Sequence, residues 1–132
     1  MIRMIRLIVS DVDGTLLQNG ETELSGRMLE IIRKMTGRGV LFAVASGRAY
    51  HDLKRLFRPV FDRVAFICHD GALMMHRNCT LMKAPLKRET ALRTADKMQA
   101  AGECSLVLSG RERSYYIEGT EGFGAVSYTH LP

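Results

Sequence analysis

The chain has 132 residues, 19 Lys and Arg against 14 Asp and Glu for a formal net charge of +5, and 46% hydrophobic content. This is ordinary globular composition, enough to fill one core, and it argues against collagen-like repeats, extended disorder and large multidomain architectures. No apolar run nears the roughly 20 residues of a membrane helix, no signal-peptide pattern opens the chain, and the basic residues are scattered among acids, so the expectation is a cytoplasmic protein without membrane or nucleic-acid partners.

Met4 to Ser10 is an almost unbroken Ile/Leu/Val run, the pattern of a strand buried on both faces of a parallel sheet, and it stops abruptly at Asp11-Val12-Asp13-Gly14-Thr15. Leu24, Met28, Ile31, Ile32 and Met35 then share one face at helical spacing, with Gly37 and Gly39 as the stop signal. A second buried strand, Val40 to Ala45, runs into Ser46-Gly47-Arg48. A short helix carrying Leu53, Leu56 and Phe57 follows, and a third strand, Val64 to Cys68, ends in His69-Asp70-Gly71. Strands alternating with helices at this spacing predict right-handed crossovers and an α/β fold, a doubly wound parallel sheet.

Ala72 to His76 and Thr80 to Lys83 flank Arg77-Asn78 and suit a β-hairpin. Beyond Pro85, Leu92, Ala95 and Met98 mark a helix closed by Gly102, followed by two strands, Ser105 to Leu108 and Ser114 to Glu118, paired antiparallel about a turn at Gly110. This places a domain boundary near Lys83 to Pro85. Residues 119–132 show no periodicity, and Val126 to Pro132 read as a candidate non-native tail.

In an open α/β sheet, ligands bind beyond the carboxyl ends of the strands, where loops and helix N-termini converge. Three loops would meet there, carrying Asp11 to Thr15, Ser46 to Arg48 and His69 to Gly71. Asp11 and Asp13, at i and i+2 of an extended segment, point to the same side and hold two carboxylates together. A bound cation or a shared proton relieves their repulsion, and a divalent metal also lets an anionic phosphate approach. The blander reading of Asp-x-Asp-Gly is a turn in which Asp bonds its own backbone. A calcium loop is disfavoured, because Thr15-Leu16-Leu17 does not continue the ligand pattern. Ser46 has its own bland alternative, as cap of the helix near Ala49, and Arg48 that of a solvated Arg at a helix start. His69, His76 and Cys79 form too loose a trio for a metal site, and Cys68, Cys79 and Cys104 suggest neither a disulfide framework nor zinc.

Asp11-Val12-Asp13-Gly14-Thr15-Leu16 after a hydrophobic strand resembles the first motif of the haloacid dehalogenase superfamily of phosphohydrolases. Val44-Ala45-Ser46-Gly47-Arg48 is similar to the second motif of its Cof-type subfamily, and Asp70-Gly71-Ala72 resembles that subfamily's Asn-Gly-Ala, with Asp70 in place of Asn. The resemblance implies a Rossmann-like core whose N-terminal half is residues 1–83, with the beginning of an inserted α/β cap at 84–118. It implies that Asp11 is the nucleophile forming an aspartyl-phosphate and that Asp13 is the general acid and base. Mg2+ would sit on the Asp11 carboxylate and the Asp13 main-chain carbonyl. Ser46 and the amides around Gly47 would bind the phosphoryl oxygens, and Thr15 would support the loop around Asp13 and join the phosphate-binding set.

The same pattern calls for a later lysine and a further metal carboxylate, which the sequence does not display. The expectation is therefore a partial chain, weakly active or inactive by itself, from a Mg2+-dependent phosphatase of small phosphorylated metabolites such as sugar phosphates. The alternatives are a phosphomutase of the same superfamily and a non-catalytic phosphate-binding or regulatory module. Specific substrate and oligomeric state are not legible.

Overall fold

In a computed structural model of the chain, residues 4–102 and 105–117 are described. Cys104, Glu118 and the candidate tail lie outside them. Within-chain contacts divide the molecule into two units, Met1–Lys83 and Ala84–Pro132.

The first unit is a five-stranded sheet in the order β1 (Leu7–Ser10), β2 (Leu41–Ala45), β3 (Val64–Cys68), β4 (Leu73–His76), β5 (Cys79–Lys83). The first three strands are parallel, with Ile8 beside Phe42 and Val44 beside Phe66, whereas β4 and β5 return antiparallel. Helix α1 (Gly26–Gly37) connects β1 to β2, and α2 (Tyr50–Leu56) with a 3-10 segment, Arg58–Arg63, connects β2 to β3. The 3-10 segment was not expected from the sequence. Pro59 in its first turn supplies a preset φ at a position where its missing N–H is tolerated.

Local chemistry sets these boundaries. Ser25, in extended conformation, caps α1 by accepting the Met28 N–H at 3.1 Å. The helix closes where Arg38 and Gly39 donate to the carbonyls of Met35 and Thr36, with Gly39 at φ 82°. Ile32 is fully buried and Met28, Leu29 and Met35 are partly buried, while Ile31, expected on the same face, is 39% exposed. The expected hairpin is present: Arg77 and Asn78 both adopt positive φ (49° and 63°), as a two-residue turn of matching twist requires. Tyr50 Oη and Lys54 Nζ each donate to Asn78 Oδ1 at 2.9 Å, which holds the turn against α2.

Period-two alternation sends Phe42, Val44, Val64, Phe66, Cys68, Leu73 and Met75 into one core with Ile32, Leu53, Phe57 and Val60. Phe66 is its centre, with Tyr50 and Phe57 edge-on at 5.9 and 5.7 Å and Phe61 stacked at 5.8 Å. The opposite face is open at β1 and β2, where Leu7, Val9 and Leu41 are 55%, 50% and 68% exposed. The expected burial of the first strand on both faces is thus corrected, and its start moves from Met4 to Leu7. The reason is topological: two right-handed crossovers stepping in one direction across the sheet place both helices on the same side. The described helices of the first unit form one layer of a doubly wound arrangement.

In the second unit, α3 (Arg88–Ala101) ends at Gly102 in left-handed conformation, φ 71°. β6 (Leu106–Ser109) pairs antiparallel with β7 (Ser114–Ile117), close to the expected bounds. Among the described residues no helix is long and apolar enough to cross a membrane.

Because Phe66 is fully buried among three rings, Phe66→Ala should destabilise the protein by about 3–5 kcal/mol, measured by urea unfolding. A loss below about 1 kcal/mol would mean the core lies elsewhere.

Candidate active site

The loop after β1 is built around Val12, whose side chain is fully buried. Its carbonyl accepts the N–H groups of Thr15, Leu16 and Leu17 at 3.2, 2.9 and 2.9 Å, and Gly14 donates to the Leu17 carbonyl at 2.7 Å. Gly14 has φ 80°, a conformation a side chain would strain. With Val12 drawn inward, its neighbours Asp11 and Asp13 are both exposed, as their i, i+2 spacing predicts. Thr15 contributes a backbone donor that closes the loop.

Ser46, 8% exposed, ends β2 and ties it to β3: its N–H donates to the Ile67 carbonyl at 2.9 Å and its own carbonyl accepts the Asp70 N–H at 3.2 Å. The His69 N–H donates to the Arg48 carbonyl at 3.1 Å, completing a backbone zipper between the second and third loops. Ser46 does not cap α2, whose N-cap is Ala49 without a side-chain bond. Its Oγ instead accepts the Arg48 N–H at 3.1 Å, a tight serine turn.

His69 and Asp70 both take positive φ, 50° and 54°, followed by Gly71 at 98°. Asp and Asn are the non-glycine residues that tolerate this region best, which suits Asp70 to its left-handed backbone. A Cβ on Gly47 would lie 3.0 Å from Asp70 Oδ1, so the absence of a side chain at 47 makes room for the Asp70 carboxylate. Sequence reasoning missed that role of Gly47.

It also misjudged Arg48. The guanidinium, expected to be solvated, grips Asp13 with both arms of its fork: Nε donates to Oδ2 at 2.8 Å and Nη2 to Oδ1 at 2.6 Å. Hydrogen bonding from Arg48 holds the Asp13 carboxyl below the ordinary aspartate value, and the guanidinium's positive charge adds to this. Two residues 35 apart in sequence are joined here because parallel β1 and β2 end at the same sheet edge. Cys68, at the end of β3, is fully buried, and burial pushes its thiol up to about 11, which keeps it protonated and inert at neutral pH.

Among the described residues no three His, Cys, Asp or Glu side chains assemble as a metal group. Asp11 and Asp13 nevertheless present oxygen at the strand end, the donor type a hard divalent cation takes. The Asp13 carboxylate is engaged by Arg48, leaving its main-chain carbonyl and the Asp11 carboxylate as the fitting pair.

Asp13 loses its guanidinium partner in Arg48→Gln, so its carboxyl should titrate at higher pH there than in the wild type, read from the side-chain carbon resonance. The folded value lies below the unfolded one, so the pair's stabilisation is in place at neutral pH and is lost as pH falls through the folded value. Both groups are substantially exposed, 35% and 56%, which limits that stabilisation to about 1 kcal/mol at most. An unchanged Asp13 titration would refute the pairing.

A family model for haloacid dehalogenase-like hydrolases matches residues 8–130. The 5-amino-6-(5-phospho-D-ribitylamino)uracil phosphatase of Escherichia coli is 24% identical over 114 residues, covering 86% of this chain and 42% of that enzyme. A haloacid dehalogenase-like hydrolase structure from Bacteroides thetaiotaomicron superposes with a TM-score of 0.75 at 19% identity, covering 89% of this chain and 46% of that one. A sugar phosphatase of subclass IIB superposes at 0.63 and 18% identity, over 84% of this chain and 43% of that one. The chain thus spans a little under half the length of these relatives.

Proposed function

The chain belongs to the haloacid dehalogenase-like hydrolases, and from that membership we propose that the protein is a phosphomonoester hydrolase acting on small phosphorylated metabolites, sugar phosphates or similar. The observation that carries the reading is the pair of outward carboxylates, Asp11 and Asp13, either side of the buried Val12 at the carboxyl edge of a parallel sheet. A relative whose name gives a phosphorylated ribityl compound as its substrate, and a neighbour described as a sugar phosphatase, support the substrate class.

The assigned roles follow from position. Asp13, once parted from Arg48, takes up a proton from solvent; a carboxylate oxygen of Asp11 attacks phosphorus, the bond from phosphorus to the ester oxygen breaks, and Asp13 gives that departing oxygen the proton. Asp13 then takes a proton from water, the water oxygen attacks the phosphorus of the aspartyl-phosphate, and free phosphate leaves with Asp11 restored. Ser46 Oγ and the Ser46–Gly47 backbone are the assigned donors to the phosphoryl oxygens, with Thr15 holding the first loop. Mg2+, when bound on the Asp11 carboxylate and the Asp13 carbonyl, would supply positive charge against the phosphoryl oxygens. The bulk of the substrate would be chosen by surfaces other than these loops.

Asp11→Asn should lower phosphate release from a panel of small sugar phosphates by about a thousandfold or more, because the nucleophile itself is removed. Retention of wild-type turnover in this variant would overturn the reading.

A further inference from the structure

Arg48 is fixed at its backbone, and its tip is held by one side chain, Asp13. Its N–H is held by Ser46 Oγ and its carbonyl by the His69 N–H, both at 3.1 Å, so the main chain is anchored to two strands. Its side chain is 35% exposed and reaches across the strand ends to Asp13, itself 56% exposed. Two of the five guanidinium N–H donors are spent on the two oxygens of a singly charged carboxylate.

Exposed ion pairs of this kind contribute little net stability, because water competes for both partners. A phosphomonoester dianion presents the same two-oxygen edge to a guanidinium fork with more charge. It would arrive between the loop of Asp11–Thr15 and that of Ser46–Gly47, within the span the Arg48 side chain already covers. While paired, each oxygen of the Asp13 carboxylate accepts one guanidinium N–H.

Resting on the phosphatase reading, we propose that Arg48 is a substrate-operated latch. With the site free of phosphate its guanidinium holds the Asp13 carboxylate, and an arriving phosphoryl group takes that guanidinium over and releases Asp13 toward the ester oxygen. Arg48 is then a positioning residue for Asp13 as well as a phosphate ligand, and the two anions compete for one cation. No bond is made or broken in this exchange, only ion pairs.

The competition is measurable without turnover. Inorganic phosphate is titrated into the wild-type chain and into Asp13→Asn, Arg48→Gln, Arg48→Lys and the Asp13→Asn/Arg48→Gln double variant, following the backbone amide resonances of Thr15 and Gly47. Dispersed amide spectra establish that each chain is folded. The latch predicts that Arg48→Gln weakens phosphate binding several-fold and that Arg48→Lys, which keeps the charge without the fork, recovers only part of the loss. It also predicts that Asp13→Asn tightens binding by a factor on the order of five larger when Arg48 is present than when it is Gln.

Arg48→Gln or Arg48→Lys binding phosphate as the wild type does would overturn the latch, as would equal effects of Asp13→Asn in both backgrounds. In those cases phosphate still binds at the two loops and the phosphatase reading survives. Absence of any phosphate-dependent shift at Thr15 and Gly47 in all five chains would overturn the latch and the assigned phosphate site together.

Discussion

Three N–H groups converge on one carbonyl, that of Val12, and the arrangement of the site depends on it. Because the Val12 side chain is sealed in the core, the chain cannot rotate Asp11 or Asp13 inward without pulling an apolar residue into water. The two acids are therefore held exposed at the sheet edge, with Asp13 paired to Arg48. An incoming cation or phosphate would enter an arrangement of charges already set by the backbone, which is how preorganised sites limit reorganisation during reaction.

The second constraint is the zipper between the loops after β2 and β3. Ser46, Arg48, Ile67, His69 and Asp70 exchange backbone hydrogen bonds, and consecutive left-handed residues are needed to turn the third loop back into β4. Such conformations persist where surrounding structure over-determines them. Here the anchors are β2 and β3 themselves, which carry the fully buried Val44 and Cys68 next to and at their ends. Gly47 belongs to the same device, since its missing side chain admits the Asp70 carboxylate. Core packing around Phe66 thus fixes the strand ends, the strand ends fix the loops, and the loops aim the polar groups.

Much of this was legible in the residues. The strand-sized apolar runs stop at polar loops, Arg77-Asn78 sits where two left-handed residues turn a hairpin, and Asp-x-Asp-Gly follows a hydrophobic strand. What was not legible depends on partners distant in sequence. Leu7, Val9 and Leu41 have the side chains of buried positions, but whether a sheet face is covered is decided by where the next layer lies, and the described helices of the first unit supply one layer. Arg48 reads as a solvated arginine until the parallel pairing of β1 with β2 brings it to Asp13. Asp70 departs from the resembling motif in charge, and its left-handed backbone was not visible in the sequence.

The central claim is that Asp11 is the nucleophile that accepts the phosphoryl group. Its most direct test is to mix the protein with a phosphorylated sugar and Mg2+, quench in borohydride, which reduces an acyl phosphate to an alcohol, and sequence the peptides by mass spectrometry. The account predicts homoserine at position 11, dependent on the sugar phosphate and absent from Asp13 and Asp70. Substrate turnover without modification at Asp11, or modification at Asp13 instead, would contradict it.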